Sequence, residues 1–275
     1  MYYTDTLTIP NYLCDCHDTL TMWGLARLLQ ESAGHHAETA QMGFRQLIER
    51  GKAWVLCRMY FAVDRMPKDG ENVTVRTWSR GTDGLFAFRD FQLIDSKGVA
   101  VTCSTYWVII DFASRKATRI HDYWAAIETH PDFATDRHQL DRLRIPRDAG
   151  EPLLAAQFAV RPSMLDHTFH VNNAEYIKWI FDHLPEGDNT LTQWQGTRFF
   201  IEFLCIEEIR RVPCVVAFLN EYLTEGHILD MLHHLAVKVG DVTAAAQVVW
   251  MVVELHFLVC VGIVPVVGHK TIVVR

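Results

Sequence analysis

One stretch, residues 21–111, constrains the fold more than the rest of the 275-residue chain. From Thr21 onward, Met22, Leu25, Leu29, Ala33, His36, Ala37 and Ala40 follow one helical face, and Thr19 or Thr21 is placed to cap it. A second short helix over 44–50 ends at Gly51. At Ala53 the period drops to two. Residues 53–64, 72–80, 85–95 and 99–111 then read as four successive strands, rich in β-branched and aromatic residues. Pro67-Lys68-Asp69-Gly70, Gly81-Thr82-Asp83-Gly84 and Asp95-Ser96-Lys97-Gly98 separate them, all turn compositions. A long helix followed by a meander buries both apolar surfaces if the sheet curves around the helix. The reading is α+β.

The layout then restarts. Residues 121–150 carry charges, His121, His130, His138, Pro131 and Pro146, with little period, and read as a linker with some local helix. Phe158-Ala159-Val160-Arg161-Pro162 matches Leu7-Thr8-Ile9-Pro10 in kind, and a second amphipathic helix follows, with Ile177, Ile180, Phe181 and Leu184 on one face. Aligning the halves places Asp15 on Asp166 and Thr19 on His170, an internal duplication offset by about 150 residues. Strand patterns return over 197–205, 214–222, 228–239 and 242–251. The expected domains are 1–125 and 151–275, joined by 126–150. The tail 251–275 is apolar, but Glu254, His256, Gly262 and Pro265 interrupt it before the length a membrane helix needs. Its Val and Ile suit strands, and no membrane span is expected.

The polar cluster of the second half is Asp166-His167-Thr168-Phe169-His170-Val171-Asn172-Asn173. It lies between an extended segment and the first turn of a helix, where free N–H groups and the macrodipole favour developing negative charge. A His near an Asp there suits acid/base attack on a carbonyl; equally, Asp and Asn are ordinary caps and loop residues. The second copy carries a His where the first has Thr19, which favours one active site, in the C-terminal half. The formal charge of −7 argues against a nucleic-acid binder. Seven scattered cysteines suggest free thiols in a reducing, cytoplasmic compartment. Cys14-Asp15-Cys16-His17-Asp18 lacks a second ligand pair at zinc-like spacing, so no metal or other cofactor is expected. Residues 1–5 show no signal-peptide pattern.

Asp166-x-x-x-His170-Val171-Asn172-Asn173-x-x-Tyr176 resembles the D-x-N-x-H-V-N-N-x-x-Y signature of the acyl-acyl-carrier-protein thioesterases. The first half is similar to bacterial members at Gln30-Glu31-Ser32-Ala33, Trp54-Val55-Leu56-Cys57-Arg58, Arg76-Thr77-Trp78, Phe86-Ala87-Phe88-Arg89-Asp90-Phe91 and Tyr106-Trp107-Val108-Ile109-Ile110-Asp111. The resemblance covers roughly residues 1–185. It implies a tandem pair of hotdog domains, each a long helix wrapped by an antiparallel sheet. The implied activity is hydrolysis of the thioester between a fatty acyl chain and acyl-carrier protein, the expected partner. In that family the signature Asp, Asn and His, with an acidic residue on a later strand, handle water and carbonyl. Carried over by position, Asp166 and His170 match, whereas the signature Asn falls on Thr168, whose hydroxyl cannot hold both ends of an amide network. The acidic residue falls at Ile206 by strict offset, which makes Glu207 the candidate and Glu208 the next.

Asn172 and Asn173 are the expected substrate-binding groups at the helix start. Met22 and Trp23 either shape the acyl pocket or fill the core. An acidic carrier needs a local basic patch, for which Arg115, Lys116, Arg119, Arg210 and Arg211 are candidates. Cys205 as a nucleophile is the covalent alternative. A dehydratase on the same fold and a non-catalytic acyl-thioester binding module are the competing classes. Chain length and oligomeric state, a homodimer included, stay open.

Overall fold

The computed structural model describes residues 2–114, 116–120, 127–142, 153–158, 161–167, 170–182, 197–204, 214–216, 251–253, 257–259, 261–266 and 269–274. The chain divides into two compact units, one built on 1–140 and the other on most of 141–275.

In the first unit β1 (Tyr3–Thr8) leads through a 3-10 turn, Asn11–Leu13, to α1 (Met22–Thr39) and the short α2 (Phe44–Glu49). β2 (Lys52–Val63), β3 (Asn72–Thr82), β4 (Ala87–Asp95) and β5 (Gly98–Asp111) follow, within two residues of the strands expected from the period. They pair antiparallel in the order β1-β3-β4-β5-β2, and the two-residue β6 (Ala117–Thr118) adds to β5. The turn before β5 needs Gly98, whose φ of 108° disfavours any side chain. α1 begins where Thr21 Oγ1 accepts from the Gly24 N–H at 3.0 Å, and the same hydroxyl donates to Leu13 O at 2.8 Å. That helix packs Leu25, Ala26, Leu29, Ala33 and Ala37 inward, fully or almost fully buried. Ala37 joins Met42, Leu47, Ala87, Ile109, Ile120 and Ile127 in one apolar cluster, so helix and sheet share a core. This is the helix-wrapped sheet expected of the first half.

The opposite face of the sheet is covered by residues 132–140, which the sequence assigns to a linker. Trp78 Nε1 donates to Asp132 O at 2.8 Å, Asp90 Oδ2 accepts from the Ala134 N–H at 2.7 Å, and Ser104 Oγ lies 2.8 Å from Thr135 Oγ1. Arg58 and Tyr106 hold Leu140 through its C=O and N–H. Asp90 is fully buried and burial pushes its carboxyl up, while Arg80, 2.8 Å away, opposes that shift. Periodicity could not find this segment, because its packing runs through polar side chains of the sheet rather than an apolar stripe of its own.

In the second unit β7 (Leu153–Phe158) precedes a 3-10 turn, Pro162–Met164, and α3 (Asn173–Asp182). β8 (Thr197–Leu204) pairs antiparallel with β9 (Cys214–Val216). The apolar tail forms β10 (Met251–Val253), β11 (Phe257–Val259), β12 (Val261–Val266) and β13 (His269–Val274). β12 and β13 make a hairpin, and β13 pairs with β7, so the tail carries strands of this unit. The expected strand over 228–239 lies outside the described residues, as does that over 242–251 except for Met251, which opens β10. Among the described residues no helix is long and apolar enough to cross a membrane.

Candidate active site

The signature folds as a closed loop that delivers the chain into α3. The Pro162–Met164 turn closes with Met164 N–H to Arg161 O at 3.0 Å and Leu165 N–H to Pro162 O at 3.1 Å. Leu165 and Val171 then form an antiparallel bridge. Within it Asp166 N–H donates to His170 O at 2.8 Å, and the Asp166 carboxylate accepts from the His170 N–H at 3.2 Å. The backbone of His170 is therefore held by Asp166 on both sides, and its imidazole is left exposed. Asn172 N–H donates to Met164 O at 2.9 Å, which fixes where the helix begins.

Asn172 caps α3, its Oδ1 accepting from Ala174 N–H at 2.8 Å, and Asn173 is the first helical residue. Behind them Ala174, Tyr176, Ile177, Trp179 and Ile180 are buried, which anchors the loop to the unit's core. Two expected residues are thus brought together, Asp166 and His170, with the two asparagines two and three residues after His170. Thr168 and Glu207 lie outside the described residues, as do Cys205 and Glu208. Met22, 2% exposed, is a core residue of the first unit, and Trp23 is half-buried on α1 with the Arg27 guanidinium 5.8 Å from its ring centre. Lys116 and Arg119 are exposed.

Glu175 is a residue the sequence reading passed over. It sits in the first turn of α3, only 7% exposed, with its N–H bonded to Asn172 O at 2.9 Å. A carboxylate is favoured at a helix start by the macrodipole. The available signal was an acid two residues into the helix on a face expected to be apolar.

The loop has a twin. In the first unit Leu13 N–H bonds Pro10 O, Cys14 N–H bonds Asn11 O, Asp15 N–H bonds Thr19 O and Thr21 N–H bonds Leu13 O. Asp15 Oδ1 accepts from Thr19 N–H at 3.0 Å, and Cys14 bridges Leu20 as Leu165 bridges Val171. Every one of these partners stands at a constant offset from its second-copy equivalent, so the duplication read from sequence holds bond for bond. Thr19, in the place of His170, is 6% exposed.

Among the described residues no group of three or more His, Cys, Asp or Glu is placed to hold a metal. Cys14, Cys16, Cys57 and Cys103 are free thiols.

Known proteins resemble the chain along both halves. Residues 1–127 match the acyl-ACP thioesterase N-terminal domain family, and residues 149–252 match its C-terminal domain family. The oleoyl-acyl carrier protein thioesterase 1 of Arabidopsis thaliana chloroplasts is 25% identical over 199 residues, 67% of this chain and 55% of that protein. The chloroplastic palmitoyl-acyl carrier protein thioesterase of the same plant is 30% identical over 203 residues, 68% of this chain and 48% of that protein. The chain spans about half the length of the curated relatives it matches. The crystal structure of an acyl-ACP thioesterase from Bacteroides thetaiotaomicron superposes with a TM-score of 0.62 at 20% identity, covering 100% of this chain and 98% of that one. That likeness identifies the fold as the tandem hotdog. With both domains matched in order along the sequence, the chain belongs to the acyl-ACP thioesterase family.

Proposed function

We propose that this protein hydrolyses the thioester of fatty acyl-acyl-carrier protein, releasing a free fatty acid and the carrier thiol. The observation that carries the reading is the pair of twin loops: one closes on a buried Thr19, the other presents an exposed His170 at a helix start. In the reaction a water oxygen bonds to the acyl carbon, the carbon–sulfur bond breaks, and the water's proton ends on the departing thiolate. N–H groups in the first turn of α3 stabilise the oxyanion. A carboxylate removes the water's proton and His170 carries one to sulfur, as an imidazole with one accepting and one donating ring nitrogen is able to do. Glu207 is the assigned base, because Asp166 is occupied in closing the loop and acts as a positioning residue. The Thr168 hydroxyl holds the water in place of the family's Asn. The N-terminal half houses the acyl chain, with Met22 and Trp23 near it, and the C-terminal half carries the chemistry, with Asn172 and Asn173 meeting the substrate.

The free thiols support a cytoplasmic setting. Lys116 and Arg119 are exposed cations for an acidic carrier. The test is thiol release from an acyl-carrier-protein panel of medium to long chains, with wild type and His170→Ala. A wild-type activity that drops by on the order of 10²-fold or more supports the reading. Tight acyl binding without release makes the protein a binding module, and an enoyl product makes it a dehydratase.

A further inference from the structure

Between α1 and the sheet the apolar core of the first unit is interrupted by one polar layer. Arg89 on β4 stands across from Ser79 of β3 and Thr105 of β5, on the side of the sheet that faces the helix. It is 7% exposed. One of its terminal nitrogens, Nη1, donates to His36 Nδ1 at 2.9 Å and to Thr77 Oγ1 at 3.1 Å. Burial drives its guanidinium down to about 10, so it remains a cation at neutral pH. Yet among the described residues no carboxylate pairs with it. Asp90, its chain neighbour, points to the other face and pairs with Arg80; Asp5 is taken by Ser32 and His35.

A buried charge without a counter-charge is costly, and partnering it with an anion removes that cost. Among the described residues no acceptor meets Nε or Nη2 of Arg89. His36, which accepts at Nδ1, carries its own proton at Nε2, because burial and the Arg89 charge hold the ring neutral with its value lowered to about 4. The threonine hydroxyls are spent: Thr77 donates to Asp90 O, and Thr105 donates to Arg89 O while accepting from Trp107 Nε1. What the layer offers a visitor is donors only. Val75, Ala87, Phe91 and Cys103 alternate onto the same face of β3, β4 and β5, all buried.

We propose that Arg89 and His36 form a binding site for a carboxylate carried on an apolar chain. Two sources share that chemistry: the free fatty acid released by the reaction, and an acyl thioester whose far end is itself a carboxylate. The choice of sources rests on the hydrolase reading above; the site itself does not.

Calorimetry with octanoate and its neutral counterpart 1-octanol tests the site without turnover. Wild type should bind octanoate on the order of 10- to 100-fold more tightly, the value of a charged hydrogen bond. Arg89→Met should erase that preference while retaining 1-octanol, and Arg89→Lys should keep part of it. Should Arg89→Met fail to fold, Arg89→Gln removes the same charge. Equal affinity of wild type for the two probes, or a preference that survives loss of the charge, overturns the proposal. A second arm compares octanoyl-carrier protein with the carrier ester of an eight-carbon dicarboxylic acid. A kcat/KM advantage for the diacid that Arg89→Gln abolishes assigns the carboxylate to substrate; inhibition by octanoate without that advantage assigns it to product. A wild type that prefers octanoate but releases no thiol would sink the hydrolase reading and leave the site standing.

Discussion

The loops at 14–20 and 165–171 are closed by the same backbone bonds, yet they present different side chains. In each, an Asp at the second position accepts from the N–H four residues on and donates its own N–H to that residue's carbonyl. The skeleton therefore depends on the Asp and leaves the residue opposite it free to vary. The first copy uses that freedom to bury Thr19; the second exposes His170. A second difference lies one turn on. A Cβ on Gly24 would come within 2.7 Å of Leu13 O, so α1 leans on its loop too closely for a side chain. The equivalent position in the second copy is Glu175, which brings a buried carboxylate to the helix start. On the proposed function, one copy is tightened into scaffold and the other is kept open to a substrate.

The largest effect expected from this contrast is on rate. His170→Ala should lower kcat by on the order of 10²- to 10⁴-fold with the melting temperature nearly unchanged, since an exposed imidazole contributes acid/base chemistry and little packing. Thr19→Ala should leave kcat within about twofold and cost roughly 1 kcal/mol of stability through its buried hydroxyl. Thiol-release assays and melting curves on the two variants decide it; a Thr19→Ala enzyme as slow as His170→Ala would mean that both loops take part in the chemistry.

The aspartates give the next test. Asp15→Ala and Asp166→Ala each remove a side-chain acceptor, so each should cost about 1–2 kcal/mol, but only Asp166→Ala should slow turnover, because only its loop holds the imidazole. Asn retains an acceptor oxygen. Asp166→Asn should therefore recover most of the activity with an unaltered pH profile. If Asp166→Asn is folded and as inactive as His170→Ala, the carboxylate charge itself is needed and Asp166 is a base rather than a positioning residue.

How much of this was legible follows from which forces wrote each part. α1 and β2 to β5 could be read within two residues, because a 3.6-residue stripe gives way to period two at marked turns. The duplication was legible too, since Asp15 and Asp166 do the same work on the backbone. The covering segment 132–140 was not, because it is held by Trp78, Asp90, Ser104 and Tyr106 from distant strands, and no local pattern reports that. Glu175 escaped for a related reason: a buried acid beside an asparagine cap looks like an ordinary first-turn residue. Arg89 sits in a quoted family stretch, but its want of a carboxylate partner is a fact of three dimensions.

A smaller effect separates the two helix starts. Thr21 receives the Gly24 N–H and also donates to Leu13 O, whereas Asn172 Oδ1 receives only the Ala174 N–H among its described side-chain bonds. Thr21→Ala should thus cost about 1–2 kcal/mol and Asn172→Ala about 1 kcal/mol, read from urea midpoints. A reversed order would mean that the second loop, not the first, is the more firmly tied.

The smallest effects are those of pH on stability, and they belong to α1. His35 is raised above 6.5, first by its hydrogen bond to Asp5 at 2.9 Å, and its neighbour His36 is lowered to about 4, first by burial. The contribution of His35 is complete below its ordinary value and fades as pH rises through the raised one. His36 behaves oppositely: its contribution is complete above 6.5 and is lost as pH falls from there toward 4, because the unfolded chain takes a proton that the folded one refuses. Melting curves between pH 4 and 8 should show His36→Gln flattening the acid side and His35→Gln flattening the neutral side. Both rings retain contact with solvent, so the shifts should amount to a few degrees at most. The rate profile should be indifferent to both rings, since the proposed chemistry lies in the other copy. Should kcat and melting temperature titrate together, and both respond to His36→Gln, the division into a scaffold copy and a working copy would not stand.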